Sequence, residues 1–321
     1  MLLVLTNTGD ATADYLLGKL SEAAVPFVRL DTDTALRRIA LAYTPGSPQL
    51  QIDGKWYCPV DFSTVWYRRP EKLTLYGPDS DSPEGECIRD EWSEALEGFF
   101  SHIPRSQWMN HPAANALASR KLEQLSVARR IGFTIPETIV TQNSEVLRAF
   151  FHSNNGRIIV KPMGRAYIER PEEESDSIIF TNRVHDSDLE DLSDLRGCPT
   201  LFQQAVDKIS DVRITVVDSA IHAFELLAID ATGRQRCDIR RNNMQDVEYR
   251  PVKLPDQVVG AVRELVALYE LRFAAIDMAI AENGEWYYFE VNPNGQWAWL
   301  DICGVGEIYK SFVTSFSTAI S

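Results

Sequence analysis

The chain has 321 residues, 45% hydrophobic and 24% charged, a composition typical of a soluble globular protein with one large or two to three small domains. Its formal net charge of −14 argues against a nucleic-acid partner, because such a partner requires a basic surface. The five cysteines are scattered and odd in number, which argues against a disulfide framework and a zinc site. No apolar run reaches the length of a membrane span and no signal peptide is evident, so we expect a cytoplasmic protein without a membrane partner.

The first part of the chain has the pattern of a βαβ unit. Residues 2–6 form a short apolar run typical of a buried parallel strand, residues 13–24 have helical spacing, and residues 26–30 predict the next strand. No GxGxxG sequence follows the first strand, so we expect a doubly wound scaffold without its own phosphate loop.

Two adjacent arginines, Arg68 and Arg69, follow a later predicted strand. Side-chain alternation along a strand sends neighbours to opposite faces, so we expect at most one of them to face a common cleft. A basic pair at a strand end and an anion-binding role both stay open.

The central part of the chain predicts one long helix over residues 115–131, ended by Gly132, and a strand at 157–160 that leads into Lys161. A lysine at the end of a buried strand is placed to meet phosphate oxygens. The segment 162–177 that follows has the length of a cover over a site, although an acidic surface hairpin is the alternative.

A short helix with an acidic face is predicted over residues 186–195. Further along, residues 211–217 alternate, so Asp211 and Arg213 share one strand face. Together with the Arg240 and Arg241 pair, Arg213 is suited to an anion clamp, while a solvent-facing charged strand face is the ordinary alternative.

Residues 273–297 carry the strongest signal in the chain. Asn283-Gly284 is typical of a two-residue hairpin turn, and counting back from it places Asp277 directly opposite Glu290. Period-2 alternation predicts a core face made of Ile276, Met278, Ile280, Tyr287, Phe289 and Val291. The other face carries Asp277, Glu290 and Asn292.

Two carboxylates opposed across a ladder repel each other unless a cation lies between them. Mg²⁺ fits, because it takes oxygen ligands and shares them with substrate phosphates. The alternative is a solvated face with two ordinary acids, which we consider less favoured because Asp and Glu are depleted in strands and the hairpin is otherwise hydrophobic.

These residues together resemble the ATP-grasp superfamily. The resemblance rests on Lys161-Pro162, Gln203 to Val206, Asp211-x-Arg213, Asp277 and Glu290-x-Asn292-Pro293. More specifically, the segments 65–69, 110–141, 180–184 and 289–300 resemble the microviridin-type ATP-grasp peptide ligases, also called graspetide synthetases. The resemblance covers essentially the whole chain, and the segments 110–141 and 289–300 narrow it to this group.

The resemblance implies an α/β (α+β) architecture, the ATP-grasp fold. It places an N-terminal doubly wound α/β domain at 1–112, a central α+β subdomain at 113–198, and a C-terminal antiparallel-sheet subdomain with the Mg-ATP site at 199–321.

The function implied by the resemblance is ATP-dependent macrocyclisation of a ribosomal precursor peptide, composed of leader and core. In that family the enzyme phosphorylates an Asp or Glu side chain, and a Ser or Thr hydroxyl or a Lys amine of the same peptide then displaces phosphate to form an ester or amide. The rivals are another ATP-grasp carboxylate–amine ligase acting on free amino acids or a protein terminus, and a non-catalytic ATP-binding or peptide-binding protein. The resemblance also implies a homodimer.

The resemblance assigns roles to individual residues. Mg²⁺ ligands are Asp277, Glu290 and Asn292. ATP-binding residues are Lys121 and Lys161 at the phosphates, Gln203, Gln204, Ala205 and Val206 beside adenine, and Asp211. Arg213 is expected at the γ-phosphate or acyl phosphate, and Arg240 and Arg241 at the substrate carboxylate. Leader docking is expected at Asp188, Glu190, Asp191 and Asp194, with a solvated acidic face as the alternative.

Overall fold

The structure is a computed structural model that describes residues 1–76, 80–164, 167–168 and 177–320. The N-terminal region contains β1 (Leu2–Thr6), α1 (Ala11–Glu22), β2 (Phe27–Asp31), β3 (Ile39–Thr44), β4 (Ser47–Ile52), β5 (Lys55–Tyr57), β6 (Thr64–Tyr67), α2 (Pro83–Phe100) and β7 (Trp108–Met109). The central region contains α3 (Pro112–Ala118), α4 (Lys121–Arg130), β8 (Thr138–Thr141), α5 (Ser144–Ser153), β9 (Ile158–Lys161), β10 (Tyr167–Ile168), β11 (Ser177–Ile178), β12 (Asn182–Arg183) and β13 (Thr200–Gln204). The C-terminal region contains β14 (Lys208–Val217), β15 (Ala220–Leu227), β16 (Glu248–Pro251), α6 (Asp256–Leu268), β17 (Phe273–Ala281), β18 (Trp286–Asn292), α7 (Ala298–Ile302) and α8 (Ile308–Ile320).

The N-terminal region forms a parallel sheet of order β2-β1-β6-β7, which confirms the predicted βαβ unit. Helix α1 begins two residues earlier than predicted because Asp10 caps it, accepting hydrogen bonds from the backbone N–H groups of Thr12 and Ala13. A separate antiparallel sheet, β3-β4-β5, packs over the same region.

The central region forms an antiparallel sheet of order β12-β9-β13-β8, covered by the apolar face of α5. Strand β13 follows residue 198 in the chain, yet it pairs with β8 and β9 of the central sheet. The domain boundaries at 112 and 198 stay a prediction.

The C-terminal sheet has the order β16-β15-β14-β17-β18, with all neighbours antiparallel. One face is covered by α6 and by the α3–α4 pair, and Val212, Ile214 and Ile276 are buried there. The other face packs through α8 onto the N-terminal sheet, with Trp66 and Phe312 in the same core. This shared core fixes the N-terminal sheet against the sheet that carries the site.

The predicted helix over 115–131 is wrong in one respect, because it is two helices with a break at Arg120. The backbone of Arg120 is extended (φ −81, ψ 97), and α4 begins at the next residue. The Gln124 side chain stabilises the break by donating a hydrogen bond of 2.5 Å to the Ala118 carbonyl oxygen. The break puts Lys121 in the first turn of α4.

The predicted acidic helix over 186–195 is also wrong, because the segment forms two short 3₁₀ turns, Asp186–Leu189 and Ser193–Gly197. The Asp188 carboxylate accepts a hydrogen bond from the His185 backbone N–H, and the Asp191 carboxylate accepts one from Ser193. Such local side-chain to backbone bonds compete with helix formation.

None of the helices in the described parts of the chain combines the length and the apolar character that crossing a bilayer requires.

Candidate active site

The β17–β18 hairpin places Asp277 opposite Glu290, as predicted, but by a different route. The loop has three residues rather than two: Gly284 donates its backbone N–H to Ala281 at 2.9 Å and has a φ of +84°. A register shift next to Asp277 then restores the predicted pairing. The extra loop residue shifts the predicted pairing by one residue, and the bulge shifts it back, so Asp277 and Glu290 are opposed as predicted.

On β18 the predicted core face is confirmed at Val291, which is buried, and is wrong at Tyr287 and Phe289, which precede it at or beyond the bulge. Tyr288 is fully buried and stacks on Phe133 with 4.9 Å between ring centroids. Phe289 instead lies 5.7 Å from the Lys161 ammonium and 6.0 Å from that of Lys208. Tyr287, also predicted in the core, is partly exposed and donates its hydroxyl to Glu285 at 3.1 Å. Phe289 therefore belongs to the site face together with Glu290.

Each carboxylate of the pair is matched by a cation of the chain. Asp277 Oδ1 lies 2.8 Å from Nε of Arg213, and Glu290 Oε2 lies 2.8 Å from Nζ of Lys121. The side chains of Asp277 and Glu290 are 32% and 30% exposed, so both are partly buried but still accessible to a ligand. The mutual repulsion expected from the sequence is offset by these partners.

Lys121 reaches Glu290 because α4 is fixed to the backbone of β18. The Gln124 side chain donates a hydrogen bond to the Val291 carbonyl oxygen at 2.8 Å and accepts one from the Val291 N–H at 3.0 Å. Lys121 lies one turn earlier on the same helix and also donates to the Pro162 carbonyl oxygen at 3.2 Å. It thus connects the acid pair to the end of β9.

Arg213 lies directly opposite Asp277 on the neighbouring strand β14. Its Nη1 donates a hydrogen bond of 3.1 Å to the Gln296 carbonyl oxygen, and its Nη2 donates one of 3.5 Å to Asp277. The chain passes closely over β17 at Gly295, where an added Cβ would come within 2.3 Å of the Ala275 Cβ. A glycine is therefore required at 295 for the segment to reach Arg213.

Lys161 ends β9, as predicted, and faces the same acids. Burial lowers the pKa of Lys161 to about 8; Glu290 acts to raise it, and the charge of Lys121 lowers it further. Lys161 therefore carries its positive charge at neutral pH but loses it more readily than an exposed lysine.

Burial also raises the pKa of Asp277, and the nearby Glu290 charge adds to the rise, while Arg213 opposes it. For Glu290, burial acts upward as well, but Lys121 and Lys161 outweigh it and hold its pKa below the ordinary value. Glu290 is therefore the firmly ionised member of the pair.

Sequence reasoning missed Lys208. Its Nζ lies 2.6 and 2.8 Å from the two carboxylate oxygens of Asp211, which Gln235 also contacts at 2.8 Å. Strict alternation separates residues 208 and 211, but a bulge between Lys208 and Ser210 brings them to one face. Asp211, predicted to bind ATP, is thus held by Lys208 and Gln235 beside Phe289.

The predicted adenine hinge, residues 203–206, consists of the last two residues of β13 and the two residues after it. The Gln203 side chain is buried and donates to Thr138 at 2.8 Å, so it supports the sheet. Gln204 and Ala205 use their backbone N–H groups within the central sheet, bonding to Glu137 and Arg157 at 2.8 and 2.9 Å. Within the described ranges, the N–H of Val206 has no partner, so this donor is open to a ligand.

The three arginines predicted as an anion clamp have different partners in the structure, Asp277 being the partner of Arg213. Arg240 binds the buried carboxylate of Asp238 with contacts of 2.9 and 2.5 Å, and Arg241 lies over the Phe180 ring and donates to Asn182. Bonding to Asp238 raises the pKa of Arg240, and the charges of Glu290 and Asp277 add to the rise. Asp238 also accepts a hydrogen bond from the Thr181 N–H at 3.0 Å, a role that its position two residues before Arg240 did not reveal.

The four predicted leader-docking acids, Asp188, Glu190, Asp191 and Asp194, are all exposed and lie on the 3₁₀ segment. The predicted cover over the site lies in part outside the described residues, since 165–166 and 169–176 are not among them.

The expectation that Arg68 and Arg69 diverge is wrong, because both contact the Asn294 carbonyl oxygen, at 2.5 and 3.2 Å. Strand β6 ends at Tyr67, so strand alternation no longer applies at these two positions.

The donor set of the acid pair fits Mg²⁺. Asp277, Glu290 and Asn292 lie at neighbouring register positions and offer only oxygen ligands, with the Asn292 Oδ1 already accepting from the Asn294 N–H at 2.9 Å. Across the part of the chain that the structure describes, no group of three or more His, Cys, Asp or Glu side chains could hold a metal. A cation at this pair would need phosphate and water oxygens as well, which is the preference of Mg²⁺.

Three solved structures are similar over nearly the whole chain. The macrocyclase MdnC of Microcystis aeruginosa, bound with precursor peptide MdnA, has a TM-score of 0.84 at 23% identity, covering 99% of this chain and 100% of that one. A RiPP-associated ATP-grasp ligase of Chryseobacterium gregarium, in complex with ADP and a leader and core peptide, has a TM-score of 0.84 at 27% identity, covering 99% and 96%. The macrocyclase MdnB of Microcystis aeruginosa has a TM-score of 0.77 at 26% identity, covering 98% of each chain.

No protein-family model and no curated protein matched the sequence. The structural similarities confirm the predicted α/β (α+β) ATP-grasp fold and the predicted resemblance to ATP-grasp peptide ligases.

Proposed function

We propose that this protein is an ATP-dependent ligase that cyclises a ribosomal precursor peptide, joining Asp or Glu side chains to Ser, Thr or Lys side chains of the same peptide. One observation carries the proposal: Asp277 and Glu290 meet Lys121, Lys161 and Arg213 on one face of the sheet. The full-length similarity to a ligase crystallised with ADP, leader and core peptide supports the peptide as substrate.

The first step is phosphoryl transfer from ATP to a peptide carboxylate. A carboxylate oxygen of the peptide attacks the γ-phosphorus, the bond to the β-phosphate oxygen breaks, and ADP leaves. Lys121 and Lys161 hold the phosphates as point charges, and the Val206 N–H is available to adenine. Arg213 stabilises the charge on the transferring group.

Mg²⁺ would be held by Asp277, Glu290 and Asn292. When bound, it supplies charge neutralisation between the ATP phosphates. In this structure Lys121 pairs with Glu290, and Arg213 pairs with Asp277. Each cation can exchange its carboxylate oxygen for a phosphate oxygen of ATP, because the contact to either oxygen is a charge-assisted hydrogen bond.

The second step closes the ring. A Ser or Thr hydroxyl or a Lys amine of the peptide attacks the carbonyl carbon of the acyl phosphate, phosphate leaves, and the nucleophile loses a proton to solvent. The overall change is the loss of one water per ring from the peptide. Arg240 is close enough to Glu290 and Asp277 for their charges to raise its pKa, and we assign it and the neighbouring Arg241 to the acidic side chains of the peptide core.

Mass spectrometry of a precursor co-expressed with the protein tests the proposal. A suitable candidate for this precursor would be a short peptide encoded beside the gene, if its core repeats Thr, Ser or Lys together with Asp or Glu. Loss of one water per ring supports cyclisation. A gain in mass would instead identify a ligase that adds a residue, and an unchanged mass, with no ADP released, would identify a non-catalytic binding protein.

We further propose a cytoplasmic homodimer that binds the leader through the acidic 3₁₀ segment and has no nucleic-acid or membrane partner. The net charge of −14 favours this view, since it disfavours nucleic acid and suits a basic leader. Light scattering of the purified protein measures the mass, and a monomer would contradict the dimer.

A further inference from the structure

Arg68 is a fully buried charge between the N-terminal sheet and the segment that follows β18. Its side chain is 1% exposed. Its Nη1 donates to the carbonyl oxygens of Asn294 and Gly295 at 2.5 and 3.0 Å, and its Nη2 donates to the Gln296 side chain at 2.8 Å. One guanidinium therefore holds three consecutive residues.

Arg68 is itself held by the N-terminal region. Its Nε lies 3.2 Å from Oδ2 of Asp10, whose side chain is 0% exposed. Asp10 caps α1 and accepts a hydrogen bond of 2.9 Å from the Thr6 hydroxyl. The Thr12 hydroxyl contacts the same Gln296 oxygen as Arg68. The position of the guanidinium is thus fixed by the first strand and helix of the chain.

The segment that Arg68 holds contacts two residues of the site. The Gln296 carbonyl oxygen accepts a hydrogen bond from Arg213 at 3.1 Å, and the Asn294 N–H donates to the Asn292 side chain at 2.9 Å. The segment has no spare room on its other side, since Gly295 lies directly against Ala275. A displacement of residues 294–296 would therefore move Arg213 and Asn292 with them.

Only arginine meets this geometry. Its planar fork offers donors in fixed directions to several carbonyl oxygens, whereas a lysine presents one compact charge on a flexible stem. Burial lowers the pKa of Arg68 to about 10, with Asp10 opposing the shift, so the guanidinium stays charged at neutral pH.

We propose that Arg68 is a positioning residue for catalysis, which holds Arg213 and Asn292 in place through residues 294–296. The inference rests on the proposed function and deepens it, because it makes the N-terminal region part of the catalytic apparatus. Arg68 itself touches neither nucleotide nor peptide in this assignment.

Arg68→Lys tests the proposal, because it keeps a positive charge beside Asp10 but removes the guanidinium that bonds to residues 294–296. We expect the kcat of precursor-dependent ADP release to fall by about 10- to 100-fold, as for a small misplacement of catalytic groups. The affinity for a non-hydrolysable ATP analogue should change by less than about threefold, because the phosphate lysines are untouched. Arg38→Lys is the matched control: Arg38 bonds within the N-terminal region, to Asp53 at 2.8 and 2.5 Å, and its replacement should leave kcat unchanged.

Two results would overturn the proposal. A folded Arg68→Lys variant with the kcat of the unaltered enzyme would remove the positioning role. An equal loss of kcat and analogue affinity would make Arg68 a structural anchor only. Should Arg68→Lys not fold, Gln296→Met removes the side-chain oxygen that Arg68 contacts and keeps the carbonyl bonded to Arg213; an unchanged kcat in that variant would also overturn the proposal.

Hydrogen exchange separates this inference from the proposed function, because it requires no reaction. Arg68→Lys should accelerate exchange at residues 292–297 and leave the N-terminal sheet as protected as before, while Arg38→Lys should not affect 292–297. If the unaltered protein fails to cyclise any precursor but this exchange pattern is seen, the proposed function is wrong. The conclusion that Arg68 holds residues 294–296 in place is then still supported. Unchanged exchange at residues 292–297 in Arg68→Lys would contradict the positioning role of Arg68, whether or not the variant is active.

Discussion

Two regions of this molecule use ion pairs of similar length in opposite ways. Between the N-terminal sheet and residues 294–296, Arg68 and Asp10 lie 3.2 Å apart with side chains 1% and 0% exposed. In the site, Lys121 and Glu290 lie 2.8 Å apart with side chains 24% and 30% exposed. Arg68 adds three hydrogen bonds to its neighbours, whereas Lys121 adds one, to Pro162.

Exposure and partner number decide what each pair can do. Removing one member of a buried pair leaves a charge that water cannot reach, so the fold depends on both members. In the site, a cation that loses its carboxylate can turn to water or to a phosphate oxygen, so these charges are available to ligands. The same chemistry therefore fixes structure in one region and supplies an exchangeable site in the other.

The largest expected effect comes from Glu290→Gln, which keeps the side-chain shape and removes the charge. We expect precursor-dependent ADP release to fall by more than about 100-fold, because a preorganised electrostatic group is lost from the reacting centre. The melting temperature should stay close to that of the unaltered protein, since Lys121 remains partly exposed.

The control for this variant is Glu282→Gln, which removes an exposed acid in the loop of the same hairpin. Its turnover should be unchanged. A Glu290→Gln enzyme with normal turnover would contradict the metal-site assignment, and one that melts much earlier would contradict the contrast between the two ion pairs.

Asp10→Ala tests the buried ion pair of Arg68 and Asp10, and it should lower the stability of the fold. It removes the buried partner of Arg68 and the cap of α1, so we expect a loss of about 3–5 kcal/mol in the free energy of unfolding. Urea unfolding measures this loss. Asp14→Ala, which removes a half-exposed partner of Arg29 on the same helix α1, should cost less than about 1 kcal/mol. A similar loss of unfolding free energy in the two variants would show that burial does not determine how much each ion pair contributes to stability.

The sequence predicted the features that depend on local pattern. The βαβ unit and Lys161 at a strand end follow from apolar runs and alternation. The pairing of Asp277 with Glu290 was predicted from a two-residue turn, and it holds because the bulge next to Asp277 compensates for the longer loop. The roles of the site residues beyond their placement stay predictions.

What the sequence did not predict depends on single-residue irregularities and on long-range contacts. A bulge in β14 brings Lys208 to Asp211, and a bulge in β18 turns Phe289 to the site; neither carries a sequence signal as strong as a Gly-containing turn. Arg68 reaches Asn294 across more than half the chain, and no local pattern encodes a contact at that separation.

The pH dependence of nucleotide binding tests whether Lys161, a partly buried cation, is available to the phosphates of a ligand. Its pKa of about 8 means that it is charged below pH 8 and neutral above. A phosphate prefers the charged form, so the Kd of a non-hydrolysable ATP analogue should rise above pH 8, by up to about tenfold per pH unit. Lys161→Arg stays charged throughout and should remove this rise. A rise that persists in Lys161→Arg would place the titrating group elsewhere.

The smallest effect is expected at the acidic 3₁₀ segment. Its four acids are exposed, and none of them forms an ion pair with another residue that the structure describes. Glu190→Gln with Asp194→Asn is the informative double variant, because Asp188 and Asp191 hold local backbone bonds. The precursor KM should rise by roughly three- to tenfold at low salt and less at high salt, since exposed charges are screened. The control is Asp90→Asn with Glu94→Gln on α2, which changes the net charge equally. An equal rise in both double variants would mean that overall charge, and not this segment, attracts the leader.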